Sequence, residues 1–163
     1  MTHAFHEFGP FYAPDSEILI LGSFPSVKSR AESFYYAHPQ NRFWQTLAAC
    51  FDCEIPSTLE EKKLMLTEHK IALWDVIESC DIEGSSDASI KNVVPADIAS
   101  LIPKTRVTRV ILNGKTAERY FYRCFPGFSL PTVTLPSTSP ANAAWTRDRL
   151  IAAWRAALTQ KFQ

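Results

Sequence analysis

Four short apolar runs, separated by stretches of helical periodicity, limit the folds open to this chain more than any other feature. Glu17–Phe24 (EILILGSF), Ile71–Ile77 (IALWDVI), Arg106–Gly114 (RVTRVILNG) and Pro131–Ser137 (PTVTLPS) read as strands. A run that is apolar at consecutive positions has no face to give to water, so such strands sit inside a sheet covered on both sides. Between them, Arg42–Phe51 puts Phe43, Trp44, Leu47, Ala48 and Phe51 on one helical face, with Asn41 at the N-cap position. Ser57–Lys70 opens with Ser-Thr and an acidic first turn, a short helix is expected from Pro95, and Lys115–Phe125 supplies another. The last helix is expected to start with Ser139 as N-cap and Pro140 at N1, turning Ala144, Ile151, Trp154 and Leu158 inward. Parallel strands need crossovers, and helices between strands supply them. The expected fold is α/β: a three-layer α/β/α sandwich with a central four-stranded parallel sheet, residues 1–163 forming a single domain.

A chain of 163 residues buries enough surface to need neither disulfide nor metal. Lys plus Arg equals Asp plus Glu at 17 each, which excludes a broad polycationic coat while allowing a local basic face. No apolar stretch spans a bilayer, and MTHAFHEFGP lacks the charged-then-apolar pattern of a secretion signal. A soluble, cytoplasmic monomer is expected. Cys50 and Cys53 form a C-x-x-C, but Cys80 and Cys124 stand alone and no His falls at a ligand-like offset. Four buried, reduced thiols are expected, with no metal and no cofactor.

In such sheets the site lies beyond the carboxyl ends of the strands. That selects four loops: Gly22–Asn41, Trp74–Asn92, Asn113–Thr116 and Pro136–Asn142. The first is nearly twenty residues long and, with Arg42 just beyond it, mixes Lys28 and Arg30 with Phe24, Phe34, Tyr35 and Tyr36. Cations beside aromatic faces suit a nucleobase and its phosphate; a loop packing its own aromatics as a plug has the same composition. The fourth loop sets Ser137, Thr138 and Ser139 before a helix start, which suits a phosphate. Ser139 also suits capping, which leaves Ser137 as the better ligand contact.

The strand end Gly22-Ser23-Phe24-Pro25-Ser26, the block His38–Trp44 (HPQNRFW) and LPSTSPANA together resemble the uracil-DNA glycosylase superfamily, nearest its DNA-deoxyinosine (hypoxanthine-DNA) glycosylase branch. The resemblance runs from about Pro10 to the last helix. It implies a four-stranded parallel sheet between helices, and hydrolysis of the N-glycosidic bond of a deaminated base in DNA. Three departures bear on the substrate. Phe24 stands where uracil-specific members carry Asp or Asn, Leu135 where they carry His or Asn, and Ser139–Ala141 offers no large apolar wedge. Hypoxanthine, with xanthine beside it, is therefore the implied base. G/U-mismatch uracil removal, a silent nucleic-acid-binding relative and a doubly wound nucleotide binder remain alternatives, the last without any Gly-rich phosphate loop.

The resemblance makes Asn41 the catalytic residue, orienting the attacking water; from the residues alone it is equally an N-cap. The implied base pocket is Gly22, Ser23, Phe24, Tyr36 and Asp75. Tyr36 would stack the base, or pack within the loop; Asp75 would accept the N1–H of hypoxanthine, or cap the next segment. DNA phosphate and backbone contacts are expected from Ser26, Lys28, Ser137, Thr138 and Ser139. Ser85–Ser89 resembles a loop that touches the site, Asn113 reads as turn chemistry, and His38 receives no acid–base role.

Overall fold

The computed structural model describes residues 2–159. Within them the chain runs β1 (Thr2–Phe5), β2 (Ile18–Gly22), α1 (Val27–Glu32), α2 (Phe43–Cys50), α3 (Leu59–Glu68), β3 (Ile71–Asp75) and β4 (Ile77–Ile82). It continues through β5 (Lys91–Pro95), α4 (Ile98–Leu101), β6 (Arg109–Asn113), α5 (Lys115–Cys124), β7 (Thr132–Leu135) and α6 (Arg147–Thr159). The four expected strands form one parallel sheet in the order β3–β2–β6–β7. Leu19 pairs with Ala72 on one side and Val110 on the other, and Val110 pairs onward with Thr132.

Every residue of β2 is buried, and strand alternation divides its side chains between two cores. Ile18 and Ile20, with Ile71, Leu73 and Ile111, pack under α2, α3 and α6 through Phe43, Leu47, Leu66, Leu150 and Trp154. Leu19 and Leu21, with Ala72, Val110 and Leu112, pack under α4 and α5 through Ile98, Leu101, Ala117 and Phe121. The expected three layers are present. A second sheet, β1–β4–β5, antiparallel throughout, supplements the α4–α5 layer and contributes Ala4, Cys80 and Ile82 to that core.

Several local expectations give way. IALWDVI is not one strand: β3 ends at Asp75 and β4 starts at Ile77, so the chain leaves one sheet for the other at Val76. The amides of Val76 and Ile77 donate to the carbonyls of Gly22 and Ser23, which holds this crossing at the end of β2. The long first loop contains the six-residue α1, closed by Ser33 in the left-handed region (φ 56°). Pro95 ends β5, and α4 starts later, capped by Asp97 through the Ser100 amide at 3.3 Å. The last helix does not start at Ser139–Pro140. The Ser139 hydroxyl accepts from the Ala141 amide in a turn, and Arg42 takes the carbonyls of Asn142 and Trp145. α6 starts at Arg147 and turns Leu150, Trp154 and Leu158 inward; Ala144 is exposed and Ile151 half-buried.

All four cysteines are free, but only Cys50 and Cys80 are buried. Burial pushes both thiols up to about 11, so they stay protonated. Cys53 is exposed because α2 has already ended in the turn at Phe51–Asp52. Among the described residues no helix is long and apolar enough to cross a membrane, and no three His, Cys, Asp or Glu converge as metal ligands.

Candidate active site

Parallel register aligns Gly22 with Asp75 and Asn113 with Leu135, so the strand ends form a common floor. Above it is a cavity of about 490 Å³. All four expected loops line it. Gly22, Ser23, Phe24, Tyr36 and Asp75 lie on its wall, as do Asn41, Ser26, Ser137, Thr138 and Ser139. Lys28 does not; it projects from the outer face of α1 and pairs with Glu32 at 3.1 Å.

Asn41 precedes the N-cap of α2, which is Arg42. Its Oδ1 accepts from the Phe43 amide at 2.9 Å, which fixes the orientation of the side-chain amide. One lone pair of Oδ1 and the Nδ2 donors remain for the cavity. Tyr36 sits with φ 52°, its ring stacked on Phe43 at 4.0 Å and 18°. Its hydroxyl is buried next to Asn113 and Asp75 and has no hydrogen-bond partner among the described residues. Burial first, then the Asp75 charge, holds this phenol well above the usual tyrosine range. It is neutral, and a bound hydrogen-bonding group would relieve its isolation, worth ~1–3 kcal/mol.

Asp75 is 3% exposed and caps nothing; Oδ2 instead lies 2.8 Å from Nε2 of His6, a residue that sequence reasoning passed over. Gly22 faces Oδ1 so closely that a Cβ there would sit 2.5 Å from it. A larger residue at the end of β2 would therefore collide with this carboxylate, whatever its backbone preference.

Phe24 is buried, its ring edge-on to His6 at 6.3 Å and under the Arg30 guanidinium at 5.4 Å. It is wall, with nothing to orient water. Asn113 does more than turn. Its Nδ2 donates to the Thr138 hydroxyl and its Oδ1 accepts from the Thr138 amide, each at 3.0 Å. Thr138 is thus fully buried and internally paired, and the expected phosphate contact does not fit it. Ser137 and Ser139 are half-buried, with the Ser139 amide donating to the Ser137 hydroxyl. Ser26 caps α1 by accepting from the Ser29 amide at 3.1 Å.

The Ser85–Ala88 stretch completes the rim. Asp87 accepts from the Ser23 hydroxyl at 3.2 Å. Desolvation raises its carboxyl above the ordinary range, against the Ser23 and Thr116 hydrogen bonds, with the Asp75 charge adding to the rise. His38 lines the cavity and is turned into its own loop, where Nδ1 accepts from the Gln40 amide. The arrangement offers one oriented amide, one acceptor carboxylate, one orphan hydroxyl and a hydroxyl-rich rim. No lysine lines it.

The family model of the uracil DNA glycosylase superfamily matches residues 10–159. A hypoxanthine DNA glycosylase of Methanosarcina acetivorans is 35% identical over 139 residues, which covers 83% of this chain and 86% of that protein. One from Methanosarcina barkeri is 34% identical over 144 residues, covering 87% and 90%. The solution NMR structure of a Methanosarcina acetivorans protein, named there as a candidate uracil DNA glycosylase, superposes with a TM-score of 0.80. It is 30% identical and covers 93% of this chain and 94% of that one.

Proposed function

The chain belongs to the uracil DNA glycosylase superfamily, and we propose that it is a monofunctional DNA glycosylase that hydrolyses the N-glycosidic bond of deaminated bases in DNA, hypoxanthine foremost. The observation that carries the reading is the meeting of Asn41, Asp75 and the Tyr36 hydroxyl in one cavity of about 490 Å³ at the strand ends. A base buried in duplex DNA must be extruded to reach such a recess. Asp75 Oδ1 accepts the N1–H of hypoxanthine, and the Tyr36 hydroxyl supplies the remaining polar contact.

In the reaction, water oxygen bonds to C1′ while the C1′–N9 bond breaks, its electron pair leaving with the base. The water gives up one proton and the departing base takes one up at a ring nitrogen. Asn41 holds the water by its free lone pair, preorganised by the Phe43 amide. Phe24 occupies the place from which a carboxylate would otherwise act, which supports hypoxanthine over uracil. With no lysine in the cavity there is no amine to form an imine with the sugar, so the strand stays intact. Ser26, Ser137 and Ser139 line the mouth, where they contact the flanking DNA backbone.

The test uses duplexes carrying a single inosine, xanthine or uracil, incubated with the protein and then split by alkali. Breakage at inosine that appears only after alkali is expected. Breakage at uracil alone, or without alkali, overturns the reading.

A further inference from the structure

His6 lies outside the stretch matched by the family model. Its side chain is fully buried, packed against Phe8 at 4.5 Å and Tyr35 at 5.8 Å. Both ring nitrogens are engaged. Nδ1 lies 2.5 Å from the carbonyl oxygen of Phe8, which has no proton to give, so Nδ1 carries the hydrogen. Nε2 then meets Asp75 Oδ2 across 2.8 Å with one proton between them. That proton resides on Nε2, giving an imidazolium and a carboxylate, or on Oδ2, giving a neutral pair. In both arrangements Oδ1 presents lone pairs alone. His6 provides the only hydrogen bond to the Asp75 side chain among the described residues, and Oδ1 stands over Gly22 on the cavity floor.

We propose that His6 is a specificity-determining positioning residue: by occupying Oδ2 it makes Asp75 an obligate acceptor, so the cavity takes bases with a ring N–H and refuses those with a lone pair there. The inference rests on the hypoxanthine reading above. Deamination changes that very atom. Adenine carries a lone pair at N1 and hypoxanthine a hydrogen; cytosine and uracil differ in the same way at N3. Adenine in this cavity would set N1 against Oδ1, two acceptors facing each other away from water, the kind of mismatch that polar sites reject strongly. Guanine also has an N1–H, so its exclusion rests on contacts at its amino group.

The other titratable groups facing the pair are Glu78 of β4, Tyr35 and Tyr36 from the α1–α2 connection, and Asp87 at the rim. Both tyrosines are held neutral, chiefly by burial. Glu78 joins Asp75 in favouring a protonated ring. Without His6, Asp75 is a buried carboxylate among negative neighbours. With Oδ2 unheld, the carboxyl is free to rotate and to present either oxygen, or an O–H, toward the cavity.

The experiment compares the parent with His6→Phe and Asp75→Asn, using duplexes with 2′-fluoro-deoxyinosine or 2′-fluoro-deoxyadenosine, whose glycosidic bonds resist cleavage. The readout is the adenine-to-inosine ratio of Kd, measured also for His6→Gln. In His6→Phe the ratio should fall at least ~10-fold, while His6→Gln, whose amide N–H can still hold Oδ2, should restore it, a rescue that a packing defect alone does not produce. In Asp75→Asn a neutral His6 accepts from the new amide and leaves its carbonyl facing the cavity. Cleavage falls there, while the ratio stays within ~3-fold of the parent. An unchanged ratio in folded His6→Phe, or a ratio in Asp75→Asn that collapses, overturns the inference. The Asp75→Asn arm decides alone should His6→Phe not fold. A parent that never cleaves inosine DNA refutes the hypoxanthine reading itself, a separate result.

Discussion

Asn41 holds the entrance of α2 with the same side chain that faces the cavity. Its bond to the Phe43 amide, worth ~1 kcal/mol, steadies that entrance from one residue before the N-cap and also fixes the oxygen proposed to orient water. Asn41→Ala should therefore lower single-turnover cleavage of inosine DNA at least ~100-fold and melt slightly lower, with little change in binding. Asn41→Asp keeps an acceptor for the Phe43 amide and should recover the melt without the rate. If Asn41→Ala cleaves at the parent rate, its side chain is a cap only. This residue was legible in the sequence because HPQNRFW keeps its neighbours within a few positions. His6 was not, since its partner lies 69 residues away and no periodicity links MTHAFHEF to IALWD. Asn113 looked like turn chemistry for the same reason. Its partner Thr138 arrives on the loop that follows β7, and only the register of β6 and β7 brings them together.

Among the elements, the parallel sheet was readable because strands buried on both faces leave long apolar runs. The antiparallel β1–β4–β5 sheet was not: β1 has four residues, three of them exposed, and the β4–β5 pairing carries register shifts. No clean alternation survives such a pattern. The segment between β7 and α6 misled in the opposite way, offering a strong Ser-Pro start signal that tertiary contacts override. Arg42, at the N-cap of α2, reaches across to the carbonyls of Trp145 and Asn142, at 2.6 and 3.1 Å. It thereby ties the Ser137–Trp145 loop to the same corner that carries Asn41. Arg42→Gln should cost ~1–3 kcal/mol of stability, the scale of charge-assisted bonds in a partly buried setting. Amide exchange at residues 142–146 should speed up while the β2 amides stay protected; uniform protection across both would show that the tether is idle.

At the scale of the whole molecule, an even charge balance and a cavity lined by hydroxyls leave DNA binding little to gain from counterion release. Affinity should fall less than ~100-fold between 50 and 200 mM salt, a slope matching no more than about three neutralised phosphates. A steeper slope would point to a basic surface engaged outside the cavity. Stability should instead respond to pH through the bond that joins the N-terminal segment to the sheet. Burial works against a charged His6, yet the hydrogen bond and charge of Asp75, the Phe8 carbonyl and Glu78 together raise its pKa above 6.5. A raised histidine contributes stability that is complete below its unfolded value and is lost as pH climbs through its folded one. The melting temperature of the parent should therefore decline from about pH 6.5 upward, in the range where a histidine loses its proton. A second decline should begin near pH 9, as unfolding lets Cys50 and Cys80 ionise, and continue above about pH 10 through Tyr35 and Tyr36, which burial holds protonated in the fold. Asp87 acts in the same sense at acid pH, since a raised carboxyl favours the folded state as it gains its proton and disfavours it as the proton is lost. In His6→Gln the first decline should vanish and the second remain. If both persist in that variant, the proton lost near neutrality belongs to some other group, and the pair does not couple the N-terminal segment to the sheet.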